Sequence, residues 1–294
     1  MIELVQALGV AYEENVPMSA KTSFKIGGPA ELMLFPASEE QLQACLKLCV
    51  EQGVKPFILG CGSNLLVKDS GIDGVVISTE KLLGIALAGD GLITCGAGMK
   101  LSELCVFAQK NGLSGLEFAY GIPGSAGGAV YMNAGAYGGE MKDVLHSVRY
   151  IDTAGEMREL PVDALELGYR RSVFMRNHGV IVGLTVKLSP GDPANIKAKM
   201  NETMQKRRDK QPLEFPSAGS VFKRPEGRFA GALIEQCGLK GQSVGGARVS
   251  EKHAGFIVNA GGATASDVRA LIALVQTVVE NETGVFLEPE IRFV

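Results

Sequence analysis

The sequence has few of the residues on which several classes of binding site depend. It contains no tryptophan, its aromatic content is 6%, and its formal net charge is −3. Without a basic field or stacking aromatic side chains, the chain is not expected to bind nucleic acid or an anionic membrane surface. The three histidines, His146, His178 and His253, lack the spacing of metal ligands, so no metal site is predicted.

Cysteine is also sparse. Six cysteines in 294 residues, with no C-x-x-C pair, do not make a disulfide scaffold. Cys45 and Cys49 lie four residues apart on a predicted helix, where they serve as small buried apolar residues. The segment MIELVQALGV at the N-terminus has no basic region and carries Glu3, which is unlike a signal peptide, so we expect a cytoplasmic location.

Glycine, by contrast, is abundant, with 38 residues. Residues 118–139, FAYGIPGSAGGAVYMNAGAYGG, include 7 glycines in 22 residues without a charged side chain. Such a segment cannot form a membrane helix, because its glycines and Pro123 would break it. Clustered backbone N–H groups in glycine-rich turns form concavities that bind anions, and a pyrophosphate fits this description. The alternative is a glycine-rich turn between strands without a ligand.

A second glycine cluster, GCGSNLL at 60–66, lies between two predicted strands. It lacks the third glycine of the dinucleotide-binding fingerprint, as does CGAGMKL at 95–101, so the fingerprint of a Rossmann domain is not met. The two glycine loops could instead supply backbone N–H groups to one pyrophosphate. Ser63 and Asn64 either add side-chain donors or only shape the turn.

The remaining sequence alternates short strands with helices. A helix is predicted to begin after Ser38, with a capping box to Gln41, and to end at Gly53. A boundary is predicted at SPGDP, 189–193, where Asp192 caps the next helix. Further strands are predicted at 55–67 (strand, turn, strand), 75–78, 92–94, 149–153 and 179–188, and further helices at 102–110, 193–210, 229–237 and 266–281.

Six segments together resemble the UDP-N-acetylenolpyruvoylglucosamine reductase family. The first three are similar to its flavin-binding half and the last three to its catalytic segments. They are TSFKIGGPAE (22–31), LGCGSNLLV (59–67), GIPGSAGGAVYMNAGAYGGE (121–140), YRRSVF (169–174), AGSVFKRP (218–225) and LEPEIRF (287–293). They occur in the order of the family and span nearly the whole chain.

The resemblance implies an α+β protein with an FAD-binding fold of the vanillyl-alcohol oxidase (PCMH-like) type and a C-terminal α/β substrate domain. The FAD-binding region would span 1–190, in two subdomains that divide near residue 80, and the substrate domain 191–294. NADPH would reduce a noncovalent FAD, and the product would be UDP-N-acetylmuramate, a peptidoglycan precursor. The residues implied to contact FAD are Gly60, Cys61, Gly62, Ser63, Asn64, Leu65, Tyr120, Gly121, Ile122, Pro123, Gly124, Ser125, Gly127, Gly128, Asn133, Ala134 and Gly135.

The resemblance also implies catalytic roles. Arg170 would stabilise an enolate-like intermediate, since arginine grips a carboxylate in a fork. Ser220 would donate a proton to the substrate, and Glu290 would position the enol. Lys223 and Arg224 are candidates to bind the diphosphate, as is the KRRDK run at 206–210, although that run is more typical of a solvated helix face.

The chain resembles the shorter type of the family, which lacks a tyrosine-bearing loop. The sequence therefore does not identify the segment that closes over the substrate. His253 is predicted to be structural. Two alternatives remain from the sequence: another noncovalent-FAD oxidoreductase that acts on a small alcohol or hydroxy acid, and a non-catalytic protein that binds a nucleotide sugar.

Overall fold

The computed structural model of the protein describes residues 1–294. Its helices are α1 (Ile2–Ala7), α2 (Met18–Lys21), α3 (Glu39–Glu51), α4 (Leu101–Lys110), α5 (Ala126–Tyr131), α6 (Phe174–Asn177), α7 (Pro193–Lys210), α8 (Ala230–Gln236) and α9 (Ala265–Thr283). None of them combines the length and the apolar character needed to cross a membrane.

Most strands are short. They are β1 (Ala11–Pro17), β2 (Pro29–Phe35), β3 (Phe57–Leu59), β4 (Leu65–Leu66), β5 (Ile72–Ser78), β6 (Ile85–Leu87), β7 (Leu92–Gly96), β8 (Leu113–Ser114), β9 (Gly135–Ala136), β10 (Gly139–Glu140), β11 (Leu145–Ile151), β12 (Met157–Pro161), β13 (Val180–Lys187), β14 (Ser189–Pro190), β15 (Ser217–Ser220), β16 (Ser243–Val244), β17 (Ala247–Val249), β18 (Phe256–Asn259) and β19 (Arg292–Phe293). A four-stranded sheet has the order β1-β2-β5-β3.

The chain divides into two compact units, each assembled from separate stretches. The first unit comprises Met1–Glu14, Leu32–Cys61 and Gly74–Lys206, and the second comprises Asn15–Glu31, Gly62–Asp73 and Arg207–Val294. The bounds of these units differ from the predicted division into functional regions 1–190 and 191–294, which stays a prediction.

The first unit contains an antiparallel sheet in the order β12-β11-β13-β7-β6. The sequence of β13 alternates Val180, Val182 and Leu184, which predicts a strand with one buried face. The structure differs, because Val180 and Val182 belong to one apolar core while Ile181 and Leu184 belong to another. Both faces of β13 are therefore covered, and α5 lies against it.

The second unit contains an antiparallel sheet in the order β15-β18-β17-β16. Helices α8 and α9 bury their apolar faces in its core, which also takes in Phe24, Ile26 and Leu66 from the earlier stretches of chain. Strand β19, near the C-terminus, pairs in parallel with β4. This pairing places the residues just before β19 beside those just before β4.

Several predicted helix boundaries are confirmed. The Ser38 hydroxyl accepts a hydrogen bond from the Gln41 N–H at 3.2 Å, and Asp192 accepts one from the Ala194 N–H at 2.6 Å. The reciprocal bond of the predicted capping box differs, because the Gln41 side chain accepts from the N–H of Ala37 rather than of Ser38. Helix α5, inside the glycine-rich segment, was not predicted from the sequence.

Candidate active site

Two glycine loops of the first unit lie in direct contact. Gly60 follows β3, and a Cβ atom placed on it would lie 2.6 Å from the hydroxyl oxygen of Ser125. Only glycine therefore permits this approach. The same Ser125 hydroxyl accepts a hydrogen bond from the Gly128 N–H at 3.2 Å and so caps the N-terminus of α5. The short helix and the loop after β3 consequently meet at one side chain.

The first N–H groups of α5 are used within the protein. Ala126 donates to the carbonyl of Met99 at 2.7 Å, and Gly127 donates to the carbonyl of Ala97 at 2.9 Å. With Gly128 bonded to Ser125, the first turn of α5 has no N–H group left for an anion. Gly127 and Gly128 therefore offer no free N–H group to a flavin.

The loops before α5, in contrast, contain N–H groups that form no backbone hydrogen bond within the protein. Gly124 has a φ of +140°, a backbone conformation that residues other than glycine rarely adopt. No backbone hydrogen bond of the protein begins at the N–H groups of Gly60, Cys61, Gly121, Gly124 or Ser125. These five donors lie on two loops that touch each other, and such backbone donors suit a pyrophosphate. The residues present thus fit the diphosphate of FAD.

Other residues predicted to contact FAD line the same segment. Tyr120, Ile122 and Ala134 are partly buried against the core of the first unit, and Gly135 begins the hairpin β9–β10. Pro123 is exposed. Asn133 is fully buried, and its side-chain amide forms hydrogen bonds with other parts of the protein.

Arg170 lies at the tip of a tight turn in the first unit. Gly168 and Arg171 exchange both backbone hydrogen bonds at 3.1 Å, so Tyr169 and Arg170 are the two residues of the turn. Arg170 has a φ of +52°, and its guanidinium lies 5.0 Å from the centre of the Tyr169 ring. Tyr169 is 53% exposed. The turn thus presents a cation and an aromatic ring side by side.

Residues 62–65 of the loop GCGSNLL belong to the second unit, where they contact the segment that carries Glu290. The Asn64 amide donates to the carbonyl of Glu290 at 3.2 Å, and the Arg292 N–H donates to the carbonyl of Asn64 at 2.9 Å. Leu65 pairs with Arg292 in the ladder of β4 and β19. The carbonyl of Gly62 accepts from the N–H of Ser23, and Ser63 lies between these contacts.

Ser220 ends strand β15 directly after an irregularity in the sheet. Ser217 pairs with Val258 but Ser220 pairs with Phe256, so β15 has one residue more than β18 over this stretch. Gly219, with a φ of +81°, lies in this bulge. Bulges redirect side chains and are common beside active sites. The Ser220 hydroxyl is half-buried and donates to the carbonyl of Phe222 at 3.2 Å.

The backbone after Ser220 runs beside the backbone before Glu290. The Glu290 N–H donates to the carbonyl of Val221 at 2.7 Å, and the Lys223 N–H donates to the carbonyl of Glu288 at 2.9 Å. The structure therefore brings together the segments of two of the three predicted catalytic residues. Arg170 belongs to the other compact unit.

The two predicted diphosphate ligands have different surroundings. Lys223 is half-buried and forms an ion pair with Glu288, whereas Arg224 is exposed with its guanidinium 4.6 Å from the ring centre of Phe229. An ion pair near the surface contributes only about 0–1 kcal/mol, so Lys223 can exchange Glu288 for a phosphate at little cost.

Four residues of the KRRDK run are exposed, as expected of a solvated helix face, but Arg207 is buried. Arg207 is 7% exposed, and it continues the buried stripe of Ile196, Met200 and Thr203 along α7. The stripe follows the helical period, which the high charge of the segment obscures. Lys206 lies 6.0 Å from the ring centre of Tyr137.

His253 is held by the backbone near β18. Its Nδ1 accepts a hydrogen bond from the Gly255 N–H at 3.1 Å, and its ring packs edge-on to Phe256. Burial lowers the pKa of this imidazole, so the ring is neutral and carries its proton on Nε2. This environment agrees with the structural role expected for His253.

The contact between Asn64 and Glu290 was not visible in the sequence, because 226 residues separate the two positions. Each segment was assigned to a different task, the first to FAD and the second to the substrate. The parallel pairing of β4 with β19 joins them, and two strands of two residues each leave no periodic pattern.

Comparisons with known proteins agree with these features. Residues 30–161 match the family described as "FAD binding domain", and residues 211–294 match "UDP-N-acetylenolpyruvoylglucosamine reductase, C-terminal domain". A UDP-N-acetylenolpyruvoylglucosamine reductase of Clostridium perfringens is 50% identical over 100% of this chain and 98% of the relative. One of Clostridium botulinum is 49% identical over 95% of this chain and 90% of the relative.

A solved structure gives the same result. The crystal structure of UDP-N-acetylenolpyruvylglucosamine reductase (MurB) from Thermus caldophilus superposes with a TM-score of 0.83 and 35% sequence identity. It covers 97% of this chain and 98% of its own. The predicted fold class, an α+β protein with an FAD-binding domain, is confirmed.

Proposed function

The chain belongs to the UDP-N-acetylenolpyruvoylglucosamine reductase family, and we propose that it reduces UDP-N-acetylglucosamine enolpyruvate to UDP-N-acetylmuramate with NADPH as the reductant. The observation that carries this proposal is the identity of 50% over the whole chain. It favours this reaction over oxidation of a small alcohol and over simple binding of a nucleotide sugar. The product is a precursor of peptidoglycan.

The residues of the first unit fit FAD as the hydride carrier. Bound FAD supplies hydride chemistry between NADPH and C3 of the enolpyruvyl group. The diphosphate would be held by the N–H groups of Gly60, Cys61, Gly121, Gly124 and Ser125, which no protein carbonyl engages. The predicted contacts of Gly62, Ser63, Asn64 and Leu65 remain part of the proposal.

Arg170 has the charge that the first chemical step requires. When hydride adds to C3, negative charge develops on C2 and on the carboxylate conjugated with it. A guanidinium that binds this carboxylate with two parallel hydrogen bonds stabilises the additional charge of the transition state more than the single charge of the bound substrate carboxylate. The place of Arg170 at the tip of a fixed turn supports this role.

Ser220 and Glu290 suit the second step, in which C2 receives a proton. We assign the proton donor to the Ser220 hydroxyl, which directly follows the bulge in β15, a feature common beside active sites. Glu290 lies on the adjacent segment and would hydrogen-bond the enol form of the substrate carboxylate. Addition of hydride to C3 and of a proton to C2 converts the enolpyruvyl ether to a lactyl ether.

Lys223 is the better candidate for the UDP diphosphate. It follows Ser220 by three residues, and its partner Glu288 is at the surface. Arg224 would add a second cation from the same segment.

Because NADPH and UDP-sugars are metabolites of the cytoplasm, we propose that the reaction takes place there.

The test separates the two half-reactions by stopped-flow absorbance of the flavin. NADPH should bleach the flavin without the UDP-sugar, and the enolpyruvyl substrate should then restore its absorbance. Ser220→Ala should leave the first step intact and slow the second by about 10²–10⁴-fold, the range of general acid catalysis. Ser220→Cys should retain part of the activity, because a thiol can still deliver a proton.

Two results would contradict this scheme. If bleaching by NADPH requires the UDP-sugar to be bound first, the two half-reactions do not share one site. If the flavin of Ser220→Ala is reoxidised at the wild-type rate and the lactyl product is released normally, Ser220 is only a loop residue.

A further inference from the structure

We propose that Asn133 is a positioning residue for the turn that carries Arg170, rather than a ligand of the flavin. This inference rests on the proposed function, because the role of Arg170 comes from it. The family resemblance implies that Asn133 contacts FAD. Its surroundings indicate a different task.

Every polar atom of the Asn133 side chain is engaged within the first unit. The side chain is fully buried. Its amide nitrogen donates to the carboxylate of Glu140 at 2.7 Å and to the carbonyl of Gly168 at 3.0 Å, and its oxygen accepts from the Lys142 N–H at 3.0 Å. Both donor hydrogens are therefore committed to protein acceptors.

The bond to Gly168 reaches the base of the Arg170 turn. Gly168 is the residue whose backbone closes the turn with Arg171. A second bond holds the other side of the turn, because the Ser172 hydroxyl donates to the carbonyl of Tyr131 at 2.7 Å. Tyr131 ends α5 and Asn133 follows it by two residues. The segment 131–133 is thus hydrogen-bonded to the residues on both sides of the turn.

This arrangement has a chemical purpose. The turn has two residues, Tyr169 and Arg170, and its base at Gly168 and Arg171 sets the point from which they leave the fold. The carbonyl of Gly168 is fixed by a buried amide, which cannot exchange its bond for one with water. A misplacement of about 1 Å can cost about 10²-fold in rate when a catalytic group must meet a reacting centre. Asn133 would therefore influence reoxidation of the flavin by the substrate through Arg170.

The main variant is Asn133→Gly. Asn133 has a φ of +42°, which glycine adopts without strain, so the change removes the amide and spares the backbone. The matched control is Glu140→Ala, which removes the other acceptor of the same amide and leaves the bond to Gly168. Both variants remove the bond between Asn133 and Glu140 of β10, but only the first also removes the bond to Gly168.

Two readouts are expected to separate them. In Asn133→Gly, reduction of the flavin by NADPH and the affinity for FAD should stay within about threefold, while reoxidation by the enolpyruvyl substrate slows by about 10–100-fold. In Glu140→Ala, all three should stay within about threefold of the wild type. Asn133→Gly added to Arg170→Ala should cause little further loss of reoxidation, since both changes remove one function.

The second readout does not depend on activity. Because the chain has no tryptophan, Tyr169→Trp introduces a single reporter at the turn. The fluorescence anisotropy of this tryptophan should fall when Asn133→Gly is added, and it should not fall when Glu140→Ala is added. Unchanged anisotropy together with an unchanged rate of reoxidation would overturn the proposal.

The outcomes distinguish the inference from the function on which it rests. If Arg170→Ala is reoxidised at the wild-type rate, the assigned role of Arg170 is wrong. If Arg170→Ala is inactive while Asn133→Gly is normal, only the positioning role is wrong. If Asn133→Gly does not fold, Asn133→Ser is measured in its place. Loss of FAD binding in both Asn133 variants would make Asn133 part of the flavin site and refute the inference.

Discussion

Substitution of Arg170 by glycine should slow turnover strongly while changing the stability of the protein little. The φ of +52° at Arg170 is left-handed, and a residue other than glycine pays about 1–2 kcal/mol for this conformation. Glycine removes that strain. Against this gain, the variant loses the contacts of the guanidinium, of which the one with the Tyr169 ring contributes about 0.5–1 kcal/mol at an exposed site. It also gains freedom in the unfolded chain, which costs about 0.4–1 kcal/mol.

These contributions nearly cancel. We therefore expect the free energy of unfolding of Arg170→Gly to lie within about 1 kcal/mol of the wild type, measured by urea denaturation of the FAD-loaded protein. Reoxidation of reduced flavin by the enolpyruvyl substrate should fall by about 10²–10³-fold, as when a donor to a developing oxyanion is removed. Reduction by NADPH should not change.

Two further variants sharpen this test. Arg170→Lys keeps the charge but loses the planar fork, so it should recover only a small part of the rate. Arg171→Ala, one residue along, should leave both half-reactions near the wild-type rate. If Arg170→Gly destabilises the protein by more than about 2 kcal/mol and slows both half-reactions alike, the turn is structural and the catalytic argument fails.

Two other predictions concern the loop contact and the buried histidine. Gly60→Ala should weaken FAD binding, because its methyl group would lie 2.6 Å from the Ser125 hydroxyl oxygen. The double variant Gly60→Ala/Ser125→Ala should bind FAD more tightly than Gly60→Ala alone. An equal or weaker affinity of the double variant, measured by titration with FAD, would refute the contact. Burial lowers the pKa of His253, so the stability it contributes is present above the ordinary imidazole pKa and is lost as the pH falls through the lowered value. His253→Asn, whose side-chain oxygen can still accept from Gly255, should therefore lose less stability than the wild type between about pH 7 and pH 5; a steeper loss on denaturation would contradict this.

The fold could be predicted where the sequence has a period or a cap. Helix α9 has both, because its apolar stripe repeats at helical spacing and the Thr264 hydroxyl accepts from the Asp267 N–H at 3.0 Å. Helix α5 has neither a charged residue nor a long stripe, and its cap at Ser125 is followed by glycines. In β13, alternation predicts one buried face, but two separate cores cover the strand, which its sequence cannot reveal.

The candidate site was predictable by resemblance and much less by residue pattern. Taken alone, the segment YRRSVF indicates a surface pair of arginines, and AGSVF indicates a loop hydroxyl. The positive φ of Arg170 and the bulge before Ser220 are properties of the backbone, and no side-chain pattern reports them. The same holds for Asn133. Its glycine-rich neighbourhood favours a flavin contact, whereas its burial and its bond to Gly168 indicate that it holds the turn of Arg170.

The three proposed catalytic residues share one structural principle. Arg170 lies in a two-residue turn, Ser220 follows a bulge, and Glu290 comes just before a strand of two residues. Each is fixed chiefly through main-chain hydrogen bonds, as in the bond from the Glu290 N–H to the carbonyl of Val221. A fixed backbone sets the position from which each side chain acts, and the side chain must then reorient to react. The Ser220 hydroxyl, which donates to the carbonyl of Phe222, must give up that bond before it can protonate C2. Because such a neutral bond is worth only about 0.5–1.5 kcal/mol, the rearrangement is a small part of the barrier.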